Sequence, residues 1–327
     1  MRFANVKTTQ TPQNLFFEGR SGDPRLGQWA QPTTLDQLTP SKQSTMVLIG
    51  APDDTGVTLN RGRAGANAGP DAVRAAFYKF AWPKSKNLEK TRWLDAGNIL
   101  VSEKILVTHE HAYNAAALIA LNSATVVALG GGHDFAAPHI LGTFSGLKTR
   151  LKNPKYGVIN VDPHLDVREF EHKLPNSGTP FRQILESGIV KGPNLIQFGA
   201  REGRNARAHF EFCRKYKAPV HELDEIRHKG DAAKQFQKLL TQLSTRCDAV
   251  ALTIDMDSCA DIEGVSAAPV IGFSPWELCQ FARLAGANKK IAMFELAEIA
   301  PVLDPTGRAA RIGAEVLFHF LLGRLSL

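Results

Sequence analysis

The chain of 327 residues is 43% apolar and 22% charged, with a formal net charge of +7. That balance excludes wholesale disorder and leaves enough chain for a large buried core. Lys and Arg are scattered without a basic block or interleaved aromatics, which argues against nucleic acid as a partner, and no window reaches the roughly 18 uninterrupted apolar residues of a membrane span.

Residues 1–44 are polar, with scattered Gln, Thr and Pro, and read as an N-terminal arm or covering segment. They lack a signal peptide's apolar core. The default expectation is a cytoplasmic protein, although the absence of an acidic residue before Glu18 leaves organellar targeting open. From residue 45 to 327 a single domain is expected. MVLIGAP (46–52) reads as a strand, the loop 53–69 is rich in Gly, Asn and Arg, and Pro70 opens a helix because proline fits the first helical turn. A helix over 109–122 then precedes the strand TVVAL (125–129), and another helix follows Asp134. YGVINV and NLIQFG (194–199) are strands, followed by helices over about 203–215 and 231–243. The pattern closes with the strand DAVALTID (248–255), the helix PWELCQFARLA, the strand KIAMFEL (290–296) and a helix over 308–322. Apolar strands alternating with helices predict an α/β fold, three layers α/β/α around a mostly parallel sheet.

Ligands of such sheets gather beyond the carboxyl ends of the strands, and four strand ends here carry chemistry. TVVAL runs into GGGHD (130–134), YGVINV into Asp162, His164 and Asp166, DAVALTI into Asp255 and Asp257, and KIAMF into Glu295 and Glu298. Period-two spacing puts Asp162, His164 and Asp166 on one side of an extended chain. Crowding these carboxylates into a low-dielectric cleft without a cation would cost several kcal/mol. With His133, the set suits two hard divalent cations, and thiolate-free, carboxylate-rich ligation favours manganese over zinc. Two such ions sharing one water lower its pKa toward neutrality. The four cysteines, Cys213, Cys247, Cys259 and Cys279, form no CxxC pair and read as reduced thiols.

GGGHD, NVDPHLDVR (160–168) and TIDMD (253–257), in this order, resemble the GGxH, NxDxHxDxR and SxDxD motifs of the ureohydrolase superfamily of arginase and agmatinase. The likeness runs from about Ile49 to Leu321. Within the superfamily, NRGRAGANAGPDAVR (60–74), NSGTPFRQ (176–183) and GVSAAPVIGFSP (264–275) resemble formimidoylglutamases, which hydrolyse N-formimidoyl-L-glutamate to formamide and L-glutamate in histidine breakdown. The resemblance implies two Mn2+ ions: His133, Asp162, Asp166 and Asp255 around one, and Asp162, His164, Asp255 and Asp257 around the other. It implies Glu298 at the cationic end of the substrate and Ser177 and Gly178 in the substrate loop. Asp166 is a candidate proton relay. Family members often assemble through their helical outer faces, so a homo-oligomer is among the expectations.

The chain departs from the family at Pro163, where Ala is usual, and at Phe181, which stands in place of arginase's proton-shuttling His. Two substrate carboxylates need cationic partners, and Arg binds carboxylates bidentately. Arg61, Arg63, Arg182 and Arg201 all lie near strand ends, and Arg63 with Arg182 is the pair expected. His139 is expected to pack in its helix and Cys259 to be a buried, inert thiol. Two further readings stay open: an agmatinase or guanidino-acid hydrolase, and a metal-binding homologue without activity.

Overall fold

A computed structural model describes residues 6–327. One sheet of ten strands organises them. In chain order the strands are β1 (Thr8–Thr9), β2 (Gln31–Pro32), β3 (Ser44–Gly50), β4 (Thr91–Ile99), β5 (Thr125–Leu129), β6 (Tyr156–Val161), β7 (Leu195–Ala200), β8 (Val220–Glu222), β9 (Ala249–Asp255) and β10 (Ile291–Ala297). The spatial order is β1-β4-β3-β5-β10-β9-β6-β7-β8, with β2 also on β4. Every pairing is parallel except that of β1 with β4. The polar N-terminal segment is therefore more than a cover, since it places two short strands on the sheet edge.

The helices are α1 (Leu26–Trp29), α2 (Thr55–Leu59), α3 (Gly69–Phe77), α4 (Ile105–Leu121), α5 (Ala136–Lys148), α6 (Pro180–Glu186), α7 (Arg207–Tyr216), α8 (Leu223–Lys229), α9 (Ala232–Arg246), α10 (Pro275–Gly286) and α11 (Arg308–Arg324). Their starts follow local chemistry. Pro70 sits in the first turn of α3, the Asp231 side chain accepts from the Lys234 N–H at the start of α9, and Ser274 and Glu277 form a capping box on α10. Successive residues of β3 face opposite layers. Met46 and Leu48 pack in a core with α3 and α8 to α11, whereas Val47 and Ile49 pack in a second core with α4 to α7. This is the three-layer α/β/α arrangement, with both sheet faces buried as parallel strands require.

The sequence pattern missed β4, TRWLDAGNI, because its polar residues break the apolar run. Asp95 is the reason they are tolerated inside. Arg74 donates to it from Nε (3.0 Å) and Nη2 (3.2 Å), and Tyr78 and Thr11 donate through their hydroxyls. A buried carboxylate satisfied by five donors, the Gly97 N–H among them (2.9 Å), ties α3 and the N-terminal segment to the sheet edge.

The layer under β7 and β9 holds an aromatic cluster. Phe281 of α10 lies 4.8 Å from Phe236, 5.1 Å from Phe273 and 5.5 Å from Phe198, ring centre to ring centre, and is fully buried. Phe281→Ala should lower the unfolding free energy by about 3–5 kcal/mol through lost burial and the cavity left behind. Denaturant unfolding checks this, and a loss below about 1 kcal/mol would contradict the packing described.

Candidate metal centre

The carboxyl ends of β5, β6, β9 and β10, neighbours in the middle of the sheet, converge on one acidic cluster. His133 and Asp134 begin the turn after β5, whose glycines let two chain segments meet. A Cβ on Gly131 would stand 1.9 Å from the carbonyl oxygen of Asp53, so no larger residue fits there. Asp162 follows β6, Asp255 ends β9, and Glu298 follows β10. Parallel pairing sets the strand ends level, with Val161 opposite Ile254 and Asp255 opposite Ala297.

Ligating atoms of His133, Asp162, Asp166 and Asp255 lie within 4.8 Å of one another, and so do those of Asp162, His164 and Asp257. The Nδ1 of His133 is 3.0 Å from Asp166 Oδ2, 3.1 Å from Asp162 Oδ2 and 3.2 Å from Asp255 Oδ2. The Nδ1 of His164 is 3.1 Å from Asp257 Oδ2 and 3.4 Å from Asp162 Oδ1. Asp162 thus presents one oxygen to each group and joins them. Asp255 belongs to the first group only. Its Oδ1 accepts from the Asp257 N–H at 2.9 Å, as the Oδ1 of Asp162 accepts from the His164 N–H at 2.6 Å, and each oxygen keeps a lone pair for a cation.

Six such groups fit divalent cations and little else. Asp257 Oδ1 is buried with no hydrogen-bond partner among the described residues, and an unpaired buried carboxylate oxygen is costly unless a cation meets it. The protonation pattern carries the same strain. Burial opposes charging His133, but the hydrogen bonds its ring donates to Asp162, Asp166 and Asp255 outweigh it and hold the ring well above its ordinary pKa. Burial likewise opposes charging His164, but the charges of Asp257 and Asp162 and hydrogen bonds to them push it up to about 12. Burial, then the charge of Asp162, pushes Asp166 up to about 7, and burial pushes Asp257 up to about 6. Burial, then the charges of Asp257 and Asp162, holds Asp255 well above its usual range. Protons partly neutralise charges that cations would neutralise better.

Pro163 costs the turn nothing visible. Its carbonyl accepts from the Arg201 N–H (3.0 Å) and from Asn205 Nδ2 (2.8 Å), while Asn205 Oδ1 accepts from the Leu165 N–H (2.8 Å). Asn205 therefore pins the turn that presents His164, a role no local motif announces. Asp166 and Glu298 both hold positive φ, 46° and 67°, a conformation that costs about 1–3 kcal/mol and persists where the surroundings impose it. Glu298 Oε1 accepts the His133 N–H at 2.9 Å, and its Oε2 is buried without a partner among the described residues. Burial, then the charge of Asp255, holds its carboxyl well above the usual range. Phe181 packs edge-on to the His133 ring, 5.5 Å between centres, so the place without a shuttling His is an aromatic wall.

A cavity of about 350 Å3 opens above the cluster, lined in part by His164, Asp166, Asp255, Asp257 and Glu298. Of the substrate-loop residues, Ser177 lines it and receives a hydrogen bond from Asn60 Nδ2. Gly178 does not. A Cβ there would meet the Arg168 side chain at 2.6 Å, so its smallness makes room for Arg168, which does line the cavity. The expected arginine pair separates. Arg63 is on the cavity wall, but its Nε and Nη2 donate to the carbonyls of Ser266 and Val265. Arg182 is not on that wall. Its Nε donates to the carbonyls of Val167 and Arg168, Nη1 to Glu186, and the guanidinium lies 4.0 Å over the Phe212 ring. It buttresses the loop that follows Asp166 and, unlike Arg63, stands away from this cavity. Arg61, Arg168 and Arg204 occupy the wall instead. Among the described residues no side-chain hydrogen bond holds the guanidinium of Arg168 or Arg204, and Arg61 makes only a 3.7 Å exposed ion pair with Glu171. Arg168 stands in the quoted NVDPHLDVR motif and could have been found there.

No helix among the described residues is long and apolar enough to cross a membrane. Comparison with known proteins accords with the geometry. The chain is 31% identical over 307 residues to a formimidoylglutamase of Staphylococcus aureus, covering 91% of this chain and 94% of that one. The formiminoglutamase of Trypanosoma cruzi with Mn2+2 superposes with a TM-score of 0.79 at 28% identity, over 93% of this chain and 99% of that one. The formimidoylglutamase of Bacillus subtilis gives 0.81 at 25% identity, over 94% of each. The profile of the arginase family matches residues 44–323, and the chain belongs to that family.

Proposed function

We propose that the protein hydrolyses N-formimidoyl-L-glutamate to formamide and L-glutamate, with two Mn2+ ions as cofactors. His133, Asp162, Asp166 and Asp255 would hold one ion and Asp162, His164, Asp255 and Asp257 the other, with Asp162 and Asp255 shared. Bound there, the ions supply Lewis-acid activation of water for attack on the formimidoyl carbon. The observation that carries the substrate assignment is the polarity of the cavity: carboxylates on the floor, arginines on the wall. The unpartnered Glu298 Oε2 is an acceptor for the N–H groups of a planar cationic amidine. Arg168, Arg204 and Arg61 are free donors for two carboxylates, and Arg pairs with carboxylates through two parallel hydrogen bonds. Agmatine has no carboxylate and would leave that wall unused, which disfavours the agmatinase alternative. The relatives named formimidoylglutamase support the same substrate. Asp166, a member of the cluster that also lines the cavity, would relay the proton that the departing glutamate nitrogen requires.

The deciding assay incubates Mn2+-loaded protein with formimidoylglutamate, arginine, agmatine and guanidinobutyrate, and identifies products by mass. Formamide and glutamate from the first substrate alone are expected. Urea from a guanidino compound with no formamide would overturn the assignment.

The arginine wall makes a separate demand. Arg168→Ala should lower kcat/KM roughly 10- to 100-fold, the loss of a charge-assisted hydrogen-bonded pair, mainly through KM. Gly178→Ala should act in the same direction by displacing Arg168, whereas Arg182→Ala should weaken stability more than substrate affinity. Steady-state kinetics on the three variants check this, and an unchanged KM for Arg168→Ala would remove that residue from the substrate's partners.

The raised groups predict proton competition. His164 and Asp166 hold protons in the metal-free protein near neutrality, and a cation must displace them. Mn2+ affinity should therefore rise from about pH 6 to about pH 8, with net proton release on binding. Calorimetric titration in two buffers of different ionisation enthalpy reads that release directly, and an affinity flat with pH would contradict it.

A further inference from the structure

Beneath the cluster, one step back along each strand, lies a row of polar side chains inside the sheet. Asn160 of β6 stands opposite Gln197 of β7 and Thr253 of β9, and Thr253 stands opposite Glu295 of β10. All four are buried, with Thr253, Glu295 and Asn160 at zero exposure. The row ends at β5, where Ala128 stands opposite Glu295. From Glu295 the polar path leaves the sheet for α5, where the fully buried His139 places Nδ1 2.6 Å from Glu295 Oε1.

The hydrogens on this path can be counted. Thr253 has one hydroxyl hydrogen, and it points at Glu295 Oε2 across 2.9 Å. The other carboxyl oxygen of Glu295 is taken by His139 Nδ1. Thr253 Oγ1 also lies 3.0 Å from His133 Nε2. Having given its hydrogen to Glu295, the hydroxyl has only lone pairs left for His133, so it accepts the Nε2–H. The proton of a neutral His133 is then fixed on Nε2, and Nδ1 carries the bare lone pair. Nδ1 is the atom that faces Asp162, Asp166 and Asp255.

We propose that His139, Glu295 and Thr253 are positioning residues that hold His133 as a metal ligand, through one buried chain of hydrogen bonds running from α5 across β10 and β9 to the ring. The proposal rests on the two-metal centre described above and not on the identity of the substrate. Its physical basis is general. A histidine that binds a metal through one nitrogen usually donates from the other, and that donation fixes the ring's tautomer and orientation and raises its basicity. Here a threonine stands between the ring and the carboxyl group. Thr is stiff at χ1, and its backbone is locked by strands on both sides, so the hydroxyl cannot follow a tilted ring. Packing alone does not call for such a path. Burying a histidine, a carboxyl group and a hydroxyl is unfavourable, the more so as His139 Nε2 has no partner among the described residues, and apolar residues of similar size would fill the same space.

The test reads metal binding rather than turnover. Wild type, Thr253→Val, Thr253→Ser and Glu295→Gln are dialysed against graded free Mn2+, and bound metal is counted by mass spectrometry. The visible spectrum of the Co2+-loaded proteins reports the ligand field of each ion. Wild type is expected to bind two ions. Thr253→Val, nearly isosteric but without the acceptor, should weaken one ion about 10- to 100-fold, leave the other within about twofold, and change the Co2+ bands of the weakened ion. Thr253→Ser should restore both affinity and spectrum. Glu295→Gln should weaken the same ion, because a neutral amide holds the hydroxyl hydrogen less firmly. If Thr253→Val does not fold, judged by circular dichroism, the comparison rests on Glu295→Gln and Thr253→Ser. Two ions bound with wild-type affinity and an unchanged Co2+ spectrum in Thr253→Val or Glu295→Gln overturn this proposal alone. A wild-type chain that binds no divalent ion overturns the two-metal centre with it.

Discussion

Four carboxylates meeting at one point of a parallel sheet is the constraint on which the rest of this structure depends. Asp162, Asp166, Asp255 and Asp257 are all buried, and like charges so placed repel strongly. Two imidazoles and the protons they retain offset part of that repulsion, and two cations would offset it better. Asp162 is the pivot, because its two oxygens serve the two halves of the cluster. The turn that carries it is held by Asn205 and by the Arg201 N–H, contacts from a loop that contributes nothing to the cluster itself.

The fold resolves the conflict by making the cluster sit on polar rather than apolar ground. Directly beneath it the sheet carries Asn160, Thr253 and Glu295, and Asn160 also reaches Asp162 Oδ2 at 3.3 Å. Around it the backbone accepts strain, with Asp166 and Glu298 in left-handed conformations that neither residue type prefers. Glu298 shows what the strain achieves. Its N–H donates to the Gly131 carbonyl and one carboxyl oxygen accepts the His133 N–H, which leaves the other oxygen without a partner among the described residues. His133 and Glu298 are thereby held to one another.

The arginines separate what motif matching finds from what side-chain geometry decides. Arg63, Arg168 and Arg182 all lie in stretches that resemble the family, and sequence alone points to Arg63 with Arg182 for the substrate carboxylates. Their partners distinguish them. Arg182 spends its donors on backbone carbonyls and its face on Phe212, Arg63 spends two of its nitrogens on the loop at Val265 and Ser266, and Arg168 is left free over Gly178. Glycine at 178 reads in sequence as a loop residue that touches substrate. In the fold its value is the missing side chain, which gives Arg168 its place.

The sequence by itself determined the layered α/β fold, the central strands and the six His and Asp residues that converge in one cluster. Each of these rests on short-range regularities: apolar runs buried on both faces, the period of two along a strand, and ligand types confined to strand ends. Strand β4 escaped notice because its buried Asp95 is acceptable only beside Arg74, which lies 21 residues away in the chain. The tertiary structure alone decided that Arg168 rather than Arg182 lines the cavity and that Thr253, Glu295 and His139 form one path to His133. Hydrogen bonds and charges act over a few ångströms of space, and the residues on that path are 42 to 156 positions apart in the chain. No local pattern records such a contact. The register of the strands creates it.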